Sequence, residues 1–307
     1  MLARNILIFH AGALGDFVQT WPLGLALGRL YPQSRVIYVT QRQKGLLAEK
    51  VLRLEFMDVE SGWHHLFGDA ENLPDICRAK LASAQSVFTF IAKPGDAWCA
   101  SVASIAPKAQ IVSVAAGAMP QMLESLATVP VVSTAAGQLL ASIAQRGVQN
   151  FTHRPDGPVA VHPGAGAPEK CWPIDRYLEL IHRLHEAGHH CRIILGEVEL
   201  ERWRGDEIRR LHSADEVVQP ATYLDLYREL CDCCAFIGND SGPGQLAGIV
   251  GLPSVILFGP TDPALWKPLG PRVRTLRGQP LASLSAQSVF DAAGALLPQA
   301  LSPARAD

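Results

Sequence analysis

No apolar run in this chain of 307 residues is long enough to cross a membrane. The Ala-rich stretch from Ala97 to Ala144 is broken by Pro107, Lys108, Pro120, Glu124 and Pro130. Nor does the N-terminus read as a secretory leader. After Arg4 the run Ile6-Leu7-Ile8-Phe9 is too short for its apolar region, and Asp16 follows soon after. Cysteine has no framework pattern: seven is an odd number, and the cluster Cys231, Cys233, Cys234 has no second Cys or His pair at zinc-finger spacing. These thiols read as small packed hydrophobes in a reducing cytoplasm. Charge of one sign is scarce too. The formal net charge of −2 gives nucleic acid no electrostatic footprint. Residues up to Arg154 carry net +3 and the remainder −5, an asymmetry that fits either surface variation or a half meeting an anionic acceptor.

What is present is core material. A content of 48% hydrophobic and 18% charged residues suits a globular protein, and the length favours two domains. Asn5–His10 is a short apolar run ending at the turn Ala11-Gly12-Ala13-Leu14-Gly15. Apolar residues at helical spacing follow from Phe17 to Tyr31, Pro32 stops them, and Arg35–Thr40 reads as a strand. This βαβ order predicts a parallel sheet. Ser86–Ile91 and Gln110–Val114 are further strands, and Thr134–Arg146 is a closing helix. The polar segment from Gly147 to Pro158 reads as a linker, which divides the chain into domains 1–150 and 151–307. The pattern then restarts, with strands at Val159–His162, Cys191–Leu195, Glu216–Gln219, Ala235–Gly238 and Ser254–Phe258. Helices are expected at Asp175–Ala187, Glu199–Leu211, Leu224–Asp232, Pro243–Val250 and Ser285–Leu297. The expectation is an α/β protein of two Rossmann-like, doubly wound parallel-sheet domains facing a cleft.

Three Gly-rich turns each follow an apolar strand, at the carboxyl ends where open parallel sheets bind ligands. The first is Gly12-Ala13-Leu14-Gly15-Asp16; read blandly, it is a tight βα turn with Asp16 as helix N-cap. A dinucleotide fingerprint fits it badly. The first glycine would fall at His10, and the second strand ends in Val39-Thr40-Gln41 without an acidic residue for a ribose. The second turn is His162-Pro163-Gly164-Ala165-Gly166, followed by Lys170. Its small residues admit an anion to backbone amides that Lys170 could join, although a plain loop with a solvated lysine has the same spelling. The third is Gly238-Asn239-Asp240-Ser241-Gly242-Pro243-Gly244, where Asp240 and Ser241 would cap a helix or, with its amides, cradle a pyrophosphate. Each turn is weak alone; three of them in two α/β halves are far more specific.

These residues resemble the motifs of the heptosyltransferases, glycosyltransferase family 9, whose fold is GT-B. The blocks "ILIFHAGALGDFVQTWPL", "VHPGAGAPEKCWP" and "IGNDSGPGQLAGIVGLPSVILFGPTDP" stand in the family's order. Lys44 to Arg146 carries no such motif, and acceptor recognition is expected there. The resemblance implies that Asp16 is the catalytic base, in an acceptor-side turn of Gly12, Ala13, Leu14 and Gly15. It implies donor phosphates at Gly164, Ala165, Gly166 and Lys170, a nucleoside held by Glu199 near Thr222, and a sugar–phosphate loop of Asp240, Ser241 and Gly242. Two positions depart from the pattern. Gln245 stands where a histidine is usual and can never be cationic, and His10 stands where arginine is common.

The activity the resemblance implies is inverting glycosyl transfer, of heptose from ADP-heptose, to a lipopolysaccharide-core or similar glycan acceptor. No cofactor is expected, and since no D-x-D pair occurs, no metal either. A cytoplasmic enzyme with at most peripheral contact at the inner face of the membrane follows. Two alternatives stay open: a GT-B enzyme using another nucleotide sugar, and a degenerate member that binds nucleotide without turnover.

Overall fold

The computed structural model describes residues 4–148 and 151–297; residues 1–3 and 298–307, and Gln149 and Asn150 of the linker segment, lie outside them. Two compact units divide between Ser142 and Ile143. The first begins with β1 (Asn5–Phe9), α1 (Leu14–Gln19), α2 (Trp21–Leu30), β2 (Arg35–Thr40), α3 (Arg42–Leu52) and β3 (Glu55–Asp58). It continues through α4 (Asp75–Ala82), β4 (Ala84–Thr89), α5 (Ala97–Ile105), β5 (Gln110–Ser113), α6 (Met119–Ser125) and α7 (Pro130–Arg146), the helix within which the division falls. Its five strands are all parallel, in the order β3-β2-β1-β4-β5.

The second unit contains β6 (Val159–His162), α8 (Ile174–Glu186), β7 (Cys191–Ile194), α9 (Glu197–Arg202), α10 (Gly205–Ala214) and β8 (Glu216–Val218). After these come α11 (Tyr223–Cys231), β9 (Ala235–Asn239), α12 (Gly242–Val250), β10 (Ser254–Phe258), α13 (Pro263–Trp266), β11 (Val273–Arg277) and α14 (Ala286–Gly294). Its six strands are also parallel, ordered β11-β10-β9-β6-β7-β8. Both sheets are doubly wound, and the strand order reverses beside β1 in one and between β6 and β9 in the other. Ligands of such sheets bind outside the carboxyl ends of the strands at that reversal. All three Gly-rich turns leave β1, β6 or β9, so the topology puts each at a reversal point.

The central strands β1, β9 and β10 are buried at every position, which is why they read as continuous apolar runs and not as alternation. In the first unit Phe9 packs edge-on against Trp63 and Trp98, with ring centroids 5.1 and 4.9 Å away. In the second, Val161, Ile193, Ile237 and Leu257 carry one face of the sheet onto Trp172, Tyr177 and the apolar side of α8. Each fully buried large side chain contributes roughly 1.5–3 kcal/mol. The seven cysteines form no disulfide with one another. Among the described residues no helix is long and apolar enough to cross a membrane.

Two expected helices are each divided. The span from Phe17 to Tyr31 holds the second half of α1 and all of α2, joined at Thr20, because Pro22 has no N–H to continue the ladder back to Val18. Thr20 is fixed there by Tyr38, whose hydroxyl donates to the Thr20 carbonyl at 3.1 Å. The span Glu199–Leu211 holds parts of α9 and α10. Trp203 and Arg204 are extended, and the Glu207 carboxylate accepts the Arg204 amide at 2.9 Å to start the second helix.

Candidate active site

β1 delivers the chain to the first turn. The His10 amide donates to the Val39 carbonyl at 3.0 Å, and Ala11, Gly12 and Ala13 are then exposed. The helix begins earlier than expected. Ala13 occupies the N-cap position and Asp16 is the third residue of α1, so the carboxylate is a first-turn anion and not the cap. Asp16 is half-buried. Gly12 stands close to its neighbours: a Cβ there would lie 3.1 Å from His10 Cε1 and 3.2 Å from Asp16 Oδ2. His10 is 2% exposed, and its Nδ1 has no hydrogen-bond partner among the described residues. Burial, with the nearby Lys44 charge adding to it, lowers its pKa to about 3, so the imidazole is neutral. Sequence reasoning missed Lys44. It is buried in the first turn of α3, and its ammonium donates to the Gly12 carbonyl.

The second and third turns are joined by one buried side chain. Asn239, the last residue of β9, donates from Nδ2 to the carbonyls of Pro163 (2.8 Å) and Gly164 (3.2 Å). Its Oδ1 accepts from the Trp172 amide at 3.1 Å and the Tyr177 hydroxyl at 3.0 Å. The result brings Lys170 to Asp240, Nζ to Oδ2 at 2.9 Å, and Thr261 donates to the same oxygen at 2.7 Å. Ser241 is the N-cap residue of α12, yet its side chain makes no capping bond, and its buried Oγ has no partner among the described residues. Gly242, Pro243 and Gly244 open that helix. Gln245 is buried and donates from Nε2 to the Trp266 carbonyl at 2.7 Å.

The remaining expected donor residues sit on the same edge of the sheet. Glu199, 4% exposed, follows β7 and accepts the Gly196 amide at 2.8 Å; it packs against Gly164, where a Cβ would come within 1.9 Å of its Oε1. Thr222, after β8, caps α11 by accepting from the Asp225 amide at 3.1 Å and donates to Asp225 Oδ2 at 2.7 Å. Arg202 was not foreseen. Its two terminal nitrogens hold the carbonyls of Ala165 and Gly166, each at 3.1 Å.

One His/Cys/Asp group among the described residues has metal-ligand spacing: His185, Cys191 and Asp215, whose ligand atoms lie within 4.8 Å of one another. It stands at the amino ends of β7 and β8, the edge opposite the turns. Asp215 is already engaged there by His185 Nε2 at 2.5 Å and the Cys191 amide at 2.8 Å.

Two doubly wound parallel sheets, each with a glycine turn at its reversal point, define an α/β protein of the GT-B fold class. The chain belongs to glycosyltransferase family 9 (heptosyltransferase), whose model matches residues 127–293. Curated relatives include lipopolysaccharide heptosyltransferase 3 of Escherichia coli K12, 30% identical over 113 residues, which are 36% of this chain and 33% of that protein. Lipopolysaccharide heptosyltransferase 2 of the same strain is 30% identical over 122 residues, 38% of this chain and 34% of the relative. The chain thus aligns with about a third of the length of the curated relatives it matches. Solved structures extend the likeness of fold to nearly the whole chain. A glycosyltransferase family 9 protein from Veillonella parvula superposes with TM-score 0.71 at 18% identity, covering 96% of this chain and 98% of that one. E. coli heptosyltransferase WaaC with ADP gives 0.66 at 18%, covering 95% and 99%.

Proposed function

We propose that this protein is an inverting glycosyltransferase that moves heptose from ADP-heptose to a hydroxyl of a lipopolysaccharide-core or similar glycan acceptor. The carrying observation is the donor edge of the second unit, where Asn239 fastens two glycine turns together and presents Lys170 and the unpartnered Ser241 hydroxyl at the start of α12. These groups suit a diphosphate: amides and a helix N-terminus for its oxygens, an ammonium for its charge. Lys170 reaches it by leaving Asp240, whose carboxylate is then available to sugar hydroxyls while Thr261 keeps it in place. The adenine assignment is supported by WaaC, which was solved with ADP, and Glu199 and Thr222 mark the nucleoside side of the site.

Asp16, in the first unit, is the general base. It takes the acceptor proton as the hydroxyl attacks the anomeric carbon, a contribution of about 10²–10⁴-fold. Charge developing on the departing diphosphate falls on Lys170, the loop amides and the N-terminus of α12, so the leaving group is stabilised without a metal. Attack opposite that group inverts the anomeric centre. The first unit is accordingly the acceptor side and the second the donor side.

The test is a titration with ADP-heptose beside a turnover assay. Lys170→Ala should weaken donor binding tenfold or more, since a charged hydrogen bond contributes roughly 1.5–3 kcal/mol. Gln245→His should preserve or raise turnover. Unchanged affinity in the first variant removes the diphosphate assignment; a clear loss in the second points to a different nucleotide sugar.

A further inference from the structure

Lysine at the start of a helix ordinarily extends its ammonium into water and leaves only its methylenes packed. Lys44 does not. The residue is 1% exposed, and its ammonium is turned inward onto the Gly12 carbonyl, in the turn that carries Asp16. Withdrawing an ammonium from water is expensive unless a partner compensates, and an apolar residue of the same volume would fill the space at lower cost. The compensation comes from the turn itself. Gly12 supplies the carbonyl, and the Asp16 carboxylate on α1 supplies the opposite charge; His10, at the end of β1, is the other titratable group facing Lys44 and is neutral. The turn is built to leave that approach open, because Gly12 has no side chain between the His10 ring and Asp16.

Resting on the reading of Asp16 as the base, we propose that Lys44 is its positioning residue. The ammonium clamps the Gly12 carbonyl so that the exposed turn keeps one shape, and its charge holds the Asp16 carboxylate in the orientation that meets the acceptor hydroxyl. This role needs the protonated amine. Burial lowers the Lys44 pKa to about 8, against an opposing pull from Asp16, so the proton is present at neutral pH and lost a little above it. Acceptor use therefore declines as pH rises through about 8, while donor binding, which lies in the second unit, does not follow that decline.

Two measurements on the intact chain test this. The first needs no substrate: the lysine side-chain carbons are labelled and Lys44 is titrated by NMR in the wild type and in Asp16→Asn. The midpoint should fall in the variant, because the charge that favours the ammonium is gone; an unmoved midpoint overturns the coupling. The second follows kcat/KM for a heptose-deficient lipopolysaccharide core at saturating ADP-heptose across pH 6–10. Lys44→Met should lose tenfold or more in kcat with donor affinity unchanged, and Lys44→Arg should retain activity while abolishing the alkaline decline, because arginine stays charged. Persistence of that decline in Lys44→Arg, or full activity in Lys44→Met, overturns the proposal. If Asp16→Asn itself turns over at the wild-type rate, the base assignment fails and not merely its support.

Discussion

Gly164 has no room for a side chain: an added Cβ would meet the Glu199 carboxylate, which is buried and bonded to the Gly196 amide. Gly164→Ala must displace Glu199, and we expect about 1–3 kcal/mol of lost stability together with weaker donor binding, readable by chemical denaturation and titration. Gly166 meets nothing within 4 Å at the same position, so Gly166→Ala should be nearly neutral in stability and serves as the control. His10 makes a different kind of statement. Its pKa is about 3 in the folded protein and near 6.5 unfolded, so between those values the unfolded chain binds the extra proton. Stability from this group is complete above the unfolded value and is lost as pH falls from roughly 6.5 toward 3, by as much as about 5 kcal/mol at the acid end. His10→Gln should flatten that part of the stability–pH curve relative to wild type. A curve of unchanged slope would mean that other groups cause the acid sensitivity.

Among the elements, β9 does most to shape the proposed donor edge, through its final residue, which joins the two glycine turns. Asn239→Ala leaves the Trp172 amide, the Tyr177 hydroxyl and two carbonyls without their partner, and a cost of about 2–4 kcal/mol is expected from buried groups so abandoned. Both the thermal midpoint and ADP-heptose affinity should fall; loss of stability alone would mean that the two turns do not depend on the clamp. The central strands were readable because burial on both faces gives an unbroken apolar run, as in Ile6–Phe9 and Val255–Phe258. The edge strand β3, half-buried throughout, gives no such signal, and the short helices between β2 and β5 have neither strong caps nor regular apolar stripes. Asp240, Ser241 and Lys170 drew attention through their Gly-rich surroundings, and the fold does bring Lys170 to Asp240. Lys44 and Arg202 were not, because each joins the site through long-range folding, and a lone cation in a helix reads as solvated surface.

At the scale of the whole molecule, each unit carries its own sheet and its own reversal point, so ligands should register on one at a time. Saturating ADP, at 100 times its dissociation constant, stabilises the state that binds it by about 2.7 kcal/mol. Hydrogen exchange should slow at the turns after β6 and β9 and stay unchanged at Gly12 to Asp16. Protection appearing at the first turn instead would reverse the assignment of donor and acceptor sides. The strand orders also set a timetable for synthesis on the ribosome. The first sheet has every strand once Ser113 has emerged, whereas β6 cannot be flanked on both sides until β9 arrives, since Val159 pairs with Ala235 as well as Cys191. The nascent second unit therefore waits, with an apolar strand exposed along one edge, through the synthesis of β7, β8 and the helices between them. That interval is when a chaperone has most to hold, and slowed translation before Ala235 should lower the yield of native protein more than the same delay placed after Arg277.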